Sequence, residues 1–560
     1  MITTRTIRSL VQLLRSADLR GIIRRLRRRF SSRIVDLIDY PEWRERYVAI
    51  SLEDQKRISA RAEQLAGIPT VAFVLGSGGS LDTATTVESI VGQLDRNWTL
   101  RLSSPFALEA SDPRISCDTP PRTSGTWVIP LEPGDIVEPT AVGAIRLVAS
   151  PDVTAIYSDY DHITDAGERT MPHFRCGPNL EMLIGHDYLR PFLALRADHL
   201  PAGPIWNVSH EWTIGMLTKS PDQFRHLPFV LFGQRWRTPV SAPLPMQPSW
   251  PVPDPAPRVS ILIPTRDRGR MLQRCLASIT NLTDYPDIEL VIVDHESTQR
   301  RARHVIDEYK TMSDCTVISF DGQFNFAAMM NRAAEASTGA VLCLLNNDTE
   351  VIESHWLAAM VGQLARPGVG VVGAHLLFPN GTVQHAGIHP GLGGMMGHGH
   401  KHLPADDPGY FGRLRVAHEV TAVTGACLLT KRSLWRRLGG LDEERLAVAY
   451  NDVDYCLRSR ADGQRVVITP AACLVHHESI SRGYDEDPKR QARLEREHAT
   501  MSERWGSELV TDPAYNPNLN YSSTGFDLST EPRVASIASL LLSQPVRLHR
   551  SVVNSVGDEG

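Results

Sequence analysis

Two acidic clusters hold the residue types of a group-transfer site. Leu344-Leu345-Asn346-Asn347-Asp348-Thr349 closes an apolar run that begins at Ala340, and further along the chain reads Asn451-Asp452-Val453-Asp454. A continuous apolar run marks a strand buried on both faces, and α/β sheets bind ligands at the ends of such strands. A carboxylate there can hold Mg²⁺ or Mn²⁺ against a diphosphate with one or two protein ligands, because phosphate oxygens and water complete the shell. Asp348 stands in that position, and Asn346 can bind ribose or phosphate. The alternative is a turn that caps the helix expected from near Ser354. Asp452 can take a proton from an attacking hydroxyl, although acids also suit the first turn of a helix with no chemistry at all. Together the clusters point to sugar transfer from a nucleotide donor.

Four further places fit that chemistry. Pro264-Thr265-Arg266-Asp267 and Asp294 end two β-branched runs, where a nucleoside is commonly held; an Asp at a strand end is also a common cap or turn former. Val475-His476-His477-Glu478 follows an apolar run, and an imidazole there can complete a Mn²⁺ shell with Asp348. Gly391 to His402 is glycine-rich with alternating histidines, a composition suited to a lid over a donor.

The elements that must position these residues alternate. Val259–Ile263, Ile288–Val293 and Ala340–Leu345 read as strands, and Met271–Ile279 and Asn325–Ser337 as helices, which specifies a mostly parallel sheet covered on both faces. A weaker copy of the same order precedes it: strand Thr70–Leu75, a glycine-rich loop, helix Thr86–Leu94 and strand Asn97–Leu102. The sequence therefore predicts an internal duplication. The domains read as 36–235 and 258–512, joined by a stiff linker over 236–257 that contains eight prolines, with a tail over 513–560.

With 560 residues the chain exceeds a single core. A net charge of −5, from 59 basic and 64 acidic residues, argues against general nucleic-acid binding. The eight cysteines form no C-x-x-C pair and read as reduced thiols in a cytoplasmic setting. Between Arg5 and Arg33 there are ten arginines and one acid, with apolar residues at three- and four-residue steps. Residues 1–35 thus read as a basic amphipathic helix suited to peripheral contact with the anionic inner face of the cytoplasmic membrane.

Val259-Ser-Ile-Leu-Ile-Pro-Thr265, Val291-Ile-Val-Asp294, Leu345-Asn-Asn-Asp348, Thr424-Gly-Ala-Cys427, Gly439-Gly-Leu-Asp442 and Asn451-Asp-Val-Asp454 together resemble family-2 glycosyltransferases. His476-His-Glu-Ser-Ile-Ser-Arg-Gly483 is similar to the bacterial O-antigen and rhamnosyltransferase-like branch. The resemblance covers about Arg258 to Gly506. It implies a GT-A fold and inverting transfer, assisted by Mn²⁺ or Mg²⁺, from a nucleotide diphosphate sugar to a growing surface polysaccharide or lipid-linked glycan. By position, Asp348 and His476 are implied to hold the metal and Asp452 to be the base, with Asp454 in reserve. Pro264, Thr265, Asp267, Asp294, Asn325, Asn331, Asn346 and Asn347 are placed with the donor. Asn346 stands where the family usually has the first Asp of D-x-D, and Asn451 where a Glu is common. The N-terminal half resembles a degenerate family-2 domain, with Leu131-Glu-Pro-Gly-Asp135 at the metal motif, Ser209-His-Glu-Trp212 at the base region and Gly76-Ser-Gly-Gly79 at the first strand end. The competing reading is a non-catalytic scaffold that binds glycan or nucleotide in a polysaccharide assembly complex.

Overall fold

The structure is a computed structural model that describes residues 39–64, 70–103, 112–118, 122–203, 205, 208–236, 249–477 and 488–543. The expected basic helix and most of the proline-rich linker lie outside the described residues. No helix among those described is long and apolar enough to cross a membrane.

Two sheets carry the fold. The first contains β1 (Thr70–Leu75), β2 (Trp98–Leu102), β3 (Ile115–Ser116), β4 (Thr126–Leu131), β5 (Ile136–Val137), β6 (Ala155–Ile163), β7 (Arg169–His173), β8 (Leu193–Arg196) and β9 (Phe224–Arg235). Its order is β3-β2-β1-β4-β8-β6-β9-β5, with β7 beside β6. The second contains β10 (Val259–Thr265), β11 (Ile288–Asp294), β12 (Cys315–Ser319), β13 (Val341–Leu345), β14 (Thr349–Val351), β15 (Val369–Leu377) and β16 (Val383–His385). A separate hairpin of β17 (Ile388–Pro390) and β18 (Met396–His398) follows, and then β19 (His418–Glu419), β20 (Cys427–Lys431) and β21 (Arg465–His476) complete the second sheet. Its order is β12-β11-β10-β13-β20-β15-β21-β14, with β16 beside β15 and β19 beside β21.

Apart from β19, the two orders correspond strand for strand, down to the hairpin strand beside β6 and β15, so the chain holds two copies of one topology. Each sheet is parallel on one flank, through β3-β2-β1-β4 and β12-β11-β10-β13. Beyond that flank a reversed strand, β8 or β20, interrupts the run before β6–β9 and β15–β21 pair parallel again, so each sheet is mostly parallel with antiparallel insertions. Short apolar runs such as Cys427-Leu-Leu reveal a strand but not its direction.

Apolar side chains fill both faces of each sheet, as the doubly covered architecture requires. On one face of the second sheet Ile261, Ile263 and Leu345 pack with Leu276 and Trp356, and on the other Leu262 and Leu344 pack with Met330 and Leu457. Helices Gly269–Leu282 and Trp356–Leu364 thus cover one side, while Phe326–Ala336 and Asn451–Ala461 cover the other.

The C-terminal segment crosses both copies. Asp512 is buried against His389 (2.6 Å) and Thr421 (2.7 Å) of the second copy. Asn516 and Asn518 donate to Asp159 of the first copy at 2.9 and 3.2 Å. Ile537 and Leu541 then enter the first copy's core beside Ile58, Val142 and Ile145. The Gly391–His402 stretch forms the turn and second strand of the β17–β18 hairpin and the residues beyond it. Leu392 is buried among Trp43, Phe174 and Tyr515, and His400 stacks on Phe526, so the expected lid is docked into the body of the protein.

Burial leaves several histidines of this region hard to protonate. It pushes His375 down to about 4 and His418 down to about 3, and it holds His400 well below its ordinary value of 6.5. The unfolded chain takes up these protons near 6.5 and the folded chain does not. Stability is therefore complete above that value and is lost as pH falls toward the depressed values. Each group is expected to add a slope of about 1.4 kcal/mol per pH unit, read as urea midpoints that fall steadily from pH 7 to pH 4.5.

Candidate functional site

The site lies where β10, β11 and β13 end side by side. Thr265 pairs in register with Asp294 across β10 and β11. The chain then leaves β10 through Asp267 and Arg268, both left-handed (φ 55° and 52°), a conformation costly for side-chain-bearing residues and concentrated at functional loops. Asp294 accepts from the Ser297 backbone N–H at 3.1 Å. Asn347 donates to the Thr265 hydroxyl at 2.9 Å, tying the loop after β13 to the end of β10.

Asp348 and His476 are brought together across β14 and β21, whose pairing sets Thr349 opposite His476. Both are nearly buried, at 5% and 8% exposure. Asp348 Oδ1 lies 3.1 Å from His476 Nε2. On the other side of the ring, Gln384 Oε1 accepts from Nδ1 at 2.7 Å, which fixes the ring with Nε2 turned to Asp348. The Asn346 amide nitrogen lies 3.5 Å from Nε2. Two acceptor atoms that close repel unless a cation or proton lies between them. Their separation is that of neighbouring ligands on an octahedral ion with bonds of about 2.1 Å, roughly 3 Å. The donor set therefore fits a hard divalent cation. Among the described residues no group of three or more His, Cys, Asp or Glu side chains suits a metal, and two protein ligands are what a diphosphate-bound cation needs.

Asp452 opens the helix Asn451–Ala461, which the chain enters through Tyr450 in the left-handed conformation (φ 61°). Its Oδ2 accepts from the Gly425 backbone N–H and its Oδ1 from that of Val453, both at 2.8 Å. A Cβ at position 425 would meet the Asp452 Cβ at 3.5 Å and the Phe326 ring at 3.6 Å, ordinary contact distances, so the backbone N–H of this residue, rather than its lack of a side chain, holds the acid. One residue on, the Ala426 carbonyl accepts from the Asn346 N–H at 3.1 Å. The turn 424–426 thus links the Asp348 corner to Asp452.

Several expected site residues have other work. Both oxygens of buried Asp454 are taken, Oδ2 by Arg458 (2.7 Å) and Oδ1 by Arg504 (2.7 Å) and Trp505 (3.0 Å). It anchors the helix and is not in reserve as a base. Asn325, expected at the donor, caps helix Phe326–Ala336 by accepting from Ala328 N–H (2.9 Å) and donates to the Glu443 carbonyl (2.8 Å). Asn331 likewise exchanges hydrogen bonds with Leu441 and Glu443. These asparagines hold the 441–443 loop. Asp267 accepts from the Thr298 and Gln299 N–H groups, both at 2.7 Å, and the Gln299 bond above all holds its carboxyl below the usual range; it braces the loop between β11 and helix Arg300–Lys310. Sequence reasoning missed Gln384 and the role of Gly425. The first lies in a three-residue strand without periodic signal, and the second acts only through its backbone.

With this geometry in view, residues 260–439 match the sequence profile of glycosyl transferase family 2. The second copy is a glycosyl transferase family 2 domain. Across a longer span, the chain is 33% identical over 517 residues to the uncharacterized protein y4gI of Sinorhizobium fredii, covering 79% of this chain and 56% of that relative. It is 31% identical over 450 residues to the O-antigen biosynthesis protein RfbC of Myxococcus xanthus, covering 73% and 35% of the two chains. An N-acetylglucosaminyl-diphospho-decaprenol L-rhamnosyltransferase of Mycobacterium tuberculosis is 24% identical over 239 residues, covering 40% of this chain and 76% of that enzyme. The chain thus spans about half, and about a third, of the lengths of the first two relatives. In the family 2 domain Thr265, Asp294 and Asn347 lie at the adjoining ends of β10, β11 and β13. In the first copy the turn after β4 carries Asp135 folded inward, with Oδ2 accepting from the Glu132 N–H (2.9 Å) and Oδ1 from the Arg235 N–H (3.2 Å).

Proposed function

We propose that the family 2 domain transfers a sugar, with rhamnose favoured, from a nucleotide diphosphate donor to a hydroxyl of a surface polysaccharide or lipid-linked glycan, with inversion at the anomeric carbon. The observation that carries this reading is the turn 424–426. Through it the convergent Asp348–His476 pair and the Asp452 carboxylate are held on one frame. The names of the O-antigen and rhamnosyltransferase relatives support the choice of acceptor and donor class.

In this mechanism Thr265, Asp294 and Asn347 frame the nucleoside end of the donor. Asp452 accepts the proton of the acceptor hydroxyl as that oxygen forms its bond to the anomeric carbon and the bond to the diphosphate breaks. A single displacement from the opposite face inverts the centre. Asp348 and His476 would hold Mg²⁺ or Mn²⁺, which when bound supplies charge stabilisation to the departing diphosphate. Gln384 fixes the His476 ring and its tautomer. The first copy, with Asp135 turned inward, is read as non-catalytic. Contact of the basic N-terminal segment with an anionic membrane is part of the same proposal and would keep the domain near a lipid-linked acceptor.

A screen of nucleotide sugars with the full chain and Mn²⁺, reading released nucleoside diphosphate, tests the proposal. Asp348→Ala is expected to lower turnover by about 10²–10³-fold, the loss of several kcal/mol of charge stabilisation. Full activity in both Asp348→Ala and Asp452→Ala would sink it, and failure to turn over any donor would favour the scaffold reading. Gln384→Leu is expected to weaken Mn²⁺ about 10- to 100-fold, visible as a rightward shift in the Mn²⁺ dependence of turnover, and to lower the thermal midpoint because the buried His476 Nδ1–H loses its acceptor.

A further inference from the structure

The first copy keeps a large cavity that the proposed transfer does not use. About 1230 Å³ opens at the ends of β1, β2 and β4, the same corner of the topology that forms the candidate site in the second copy. That exceeds the roughly 300–1,000 Å³ of ordinary small-molecule sites, leaving room for more than one sugar ring. Val74, Leu102, Val128 and Ile205 give it an apolar floor, and Ser77 and Ser103 supply hydroxyls.

Three observations point to a ligand there. Arg101 lines the cavity, and its Nη1 reaches two carbonyls only at 3.4 Å, weak bonds that a better-placed ligand acceptor can replace. No side chain caps helix Ser80–Val91, whose N-terminus meets the cavity through Gly79. Gly79 itself has φ −64°, open to any residue, and a Cβ there would meet nothing within 4 Å. The space beside the first turn of this helix is therefore open to a ligand.

Charge selects the ligand class. Two arginines, Arg101 and Arg122, face three carboxylates, Asp82, Asp118 and Glu132. A nucleoside diphosphate would bring further negative charge to a lining already at net −1 (two positive, three negative), and the inward-turned Asp135 gives this copy no counterpart of the Asp348–His476 pair to neutralise it. A neutral polyol needs both donors and acceptors and suffers no such repulsion. We infer that the N-terminal copy is a metal-independent cradle for a neutral oligosaccharide, a stretch of the glycan that the second copy extends. This rests on the proposed transfer for the identity of the glycan but not for the existence of the site.

The test uses the full chain in EDTA, with neutral rhamnose, mannose and glucose trisaccharides and, separately, dTDP, in saturation-transfer NMR and calorimetry. At least one trisaccharide should bind, and Gly79→Trp should weaken it about tenfold or more without changing donor hydrolysis by the second copy. Ser103→Phe, from the opposite wall, should do the same and covers the case in which Gly79→Trp fails to fold. Absence of binding by all three sugars, binding indifferent to both variants, or metal-free dTDP binding that the variants abolish would overturn the inference. If no donor is turned over yet trisaccharide binding remains sensitive to position 79, the cradle stands and the transferase reading falls.

Discussion

Asp452→Asn is expected to lower sugar transfer by about 10²–10⁴-fold, the usual worth of a positioned general base, while leaving donor affinity close to that of the parent. The substitution is nearly isosteric. The amide oxygen still accepts from Gly425, so the turn that links this residue to Asn346 keeps its anchor. What disappears is the site that receives the acceptor proton. Single-turnover transfer to a soluble acceptor, alongside dTDP-sugar affinity by calorimetry, separates the two quantities; an unchanged transfer rate would remove Asp452 from the mechanism. Asp454→Asn is the informative contrast. That carboxylate is buried between Arg458 and Arg504, so its neutralisation is expected to appear in the thermal midpoint, with activity per folded molecule retained.

Glu181→Ala is expected to destabilise the protein by about 3–5 kcal/mol, the cost of leaving buried partner charges uncompensated. Glu181 comes from the first copy and is 3% exposed. It pairs with Arg465 and, at 3.2 Å, with Arg366, and it accepts from Gln363 at 2.8 Å, all three in the second copy. Glu419 adds a second carboxylate 3.3 Å from Arg465 and is bridged back to the first copy by Asn179 and the Leu180 N–H. Removing Glu181 leaves two guanidinium groups facing one remaining acid across the junction. Urea denaturation read by tryptophan fluorescence gives the number, and a shift below about 1 kcal/mol would mean that water reaches the arginines.

Much of this was legible in the chain, and unevenly so. β1 runs over Thr70–Leu75 as its apolar residues predict, and β10, β11 and β13 end within two residues of their expected limits, because fully buried strands declare themselves as unbroken apolar runs. The duplication was visible only as a weak echo of strand, loop, helix and strand; its extent emerged from the matching strand orders. Asp348, His476 and Asp452 were identifiable by type and order. Asn325, Asn331 and Asp454 were not distinguishable from them, since an asparagine that caps a helix and one that meets a donor look alike until the partners are placed. Gln384 and Gly425 carry no local pattern, and their roles arise from contacts between distant strands and loops. The His389–Asp512 pair likewise joins residues that nothing in the sequence associates.

Duplicated domains usually remain separable, each able to be expressed, exchanged or lost without the other. In this protein the final described segment removes that freedom. It starts on Asp512 in the second copy, supplies Asn516 and Asn518 to a buried carboxylate of the first, and ends with Ile537 and Leu541 inside the first copy's core. Cutting the chain at the linker would therefore leave the N-terminal piece with an unfilled core and an Asp159 held, among the described residues, only by Arg175 and His226, and the C-terminal piece with an exposed apolar helix. The scaffold of the first copy is thus tied to the second, because the terminus that leaves the second copy depends on the first for its burial.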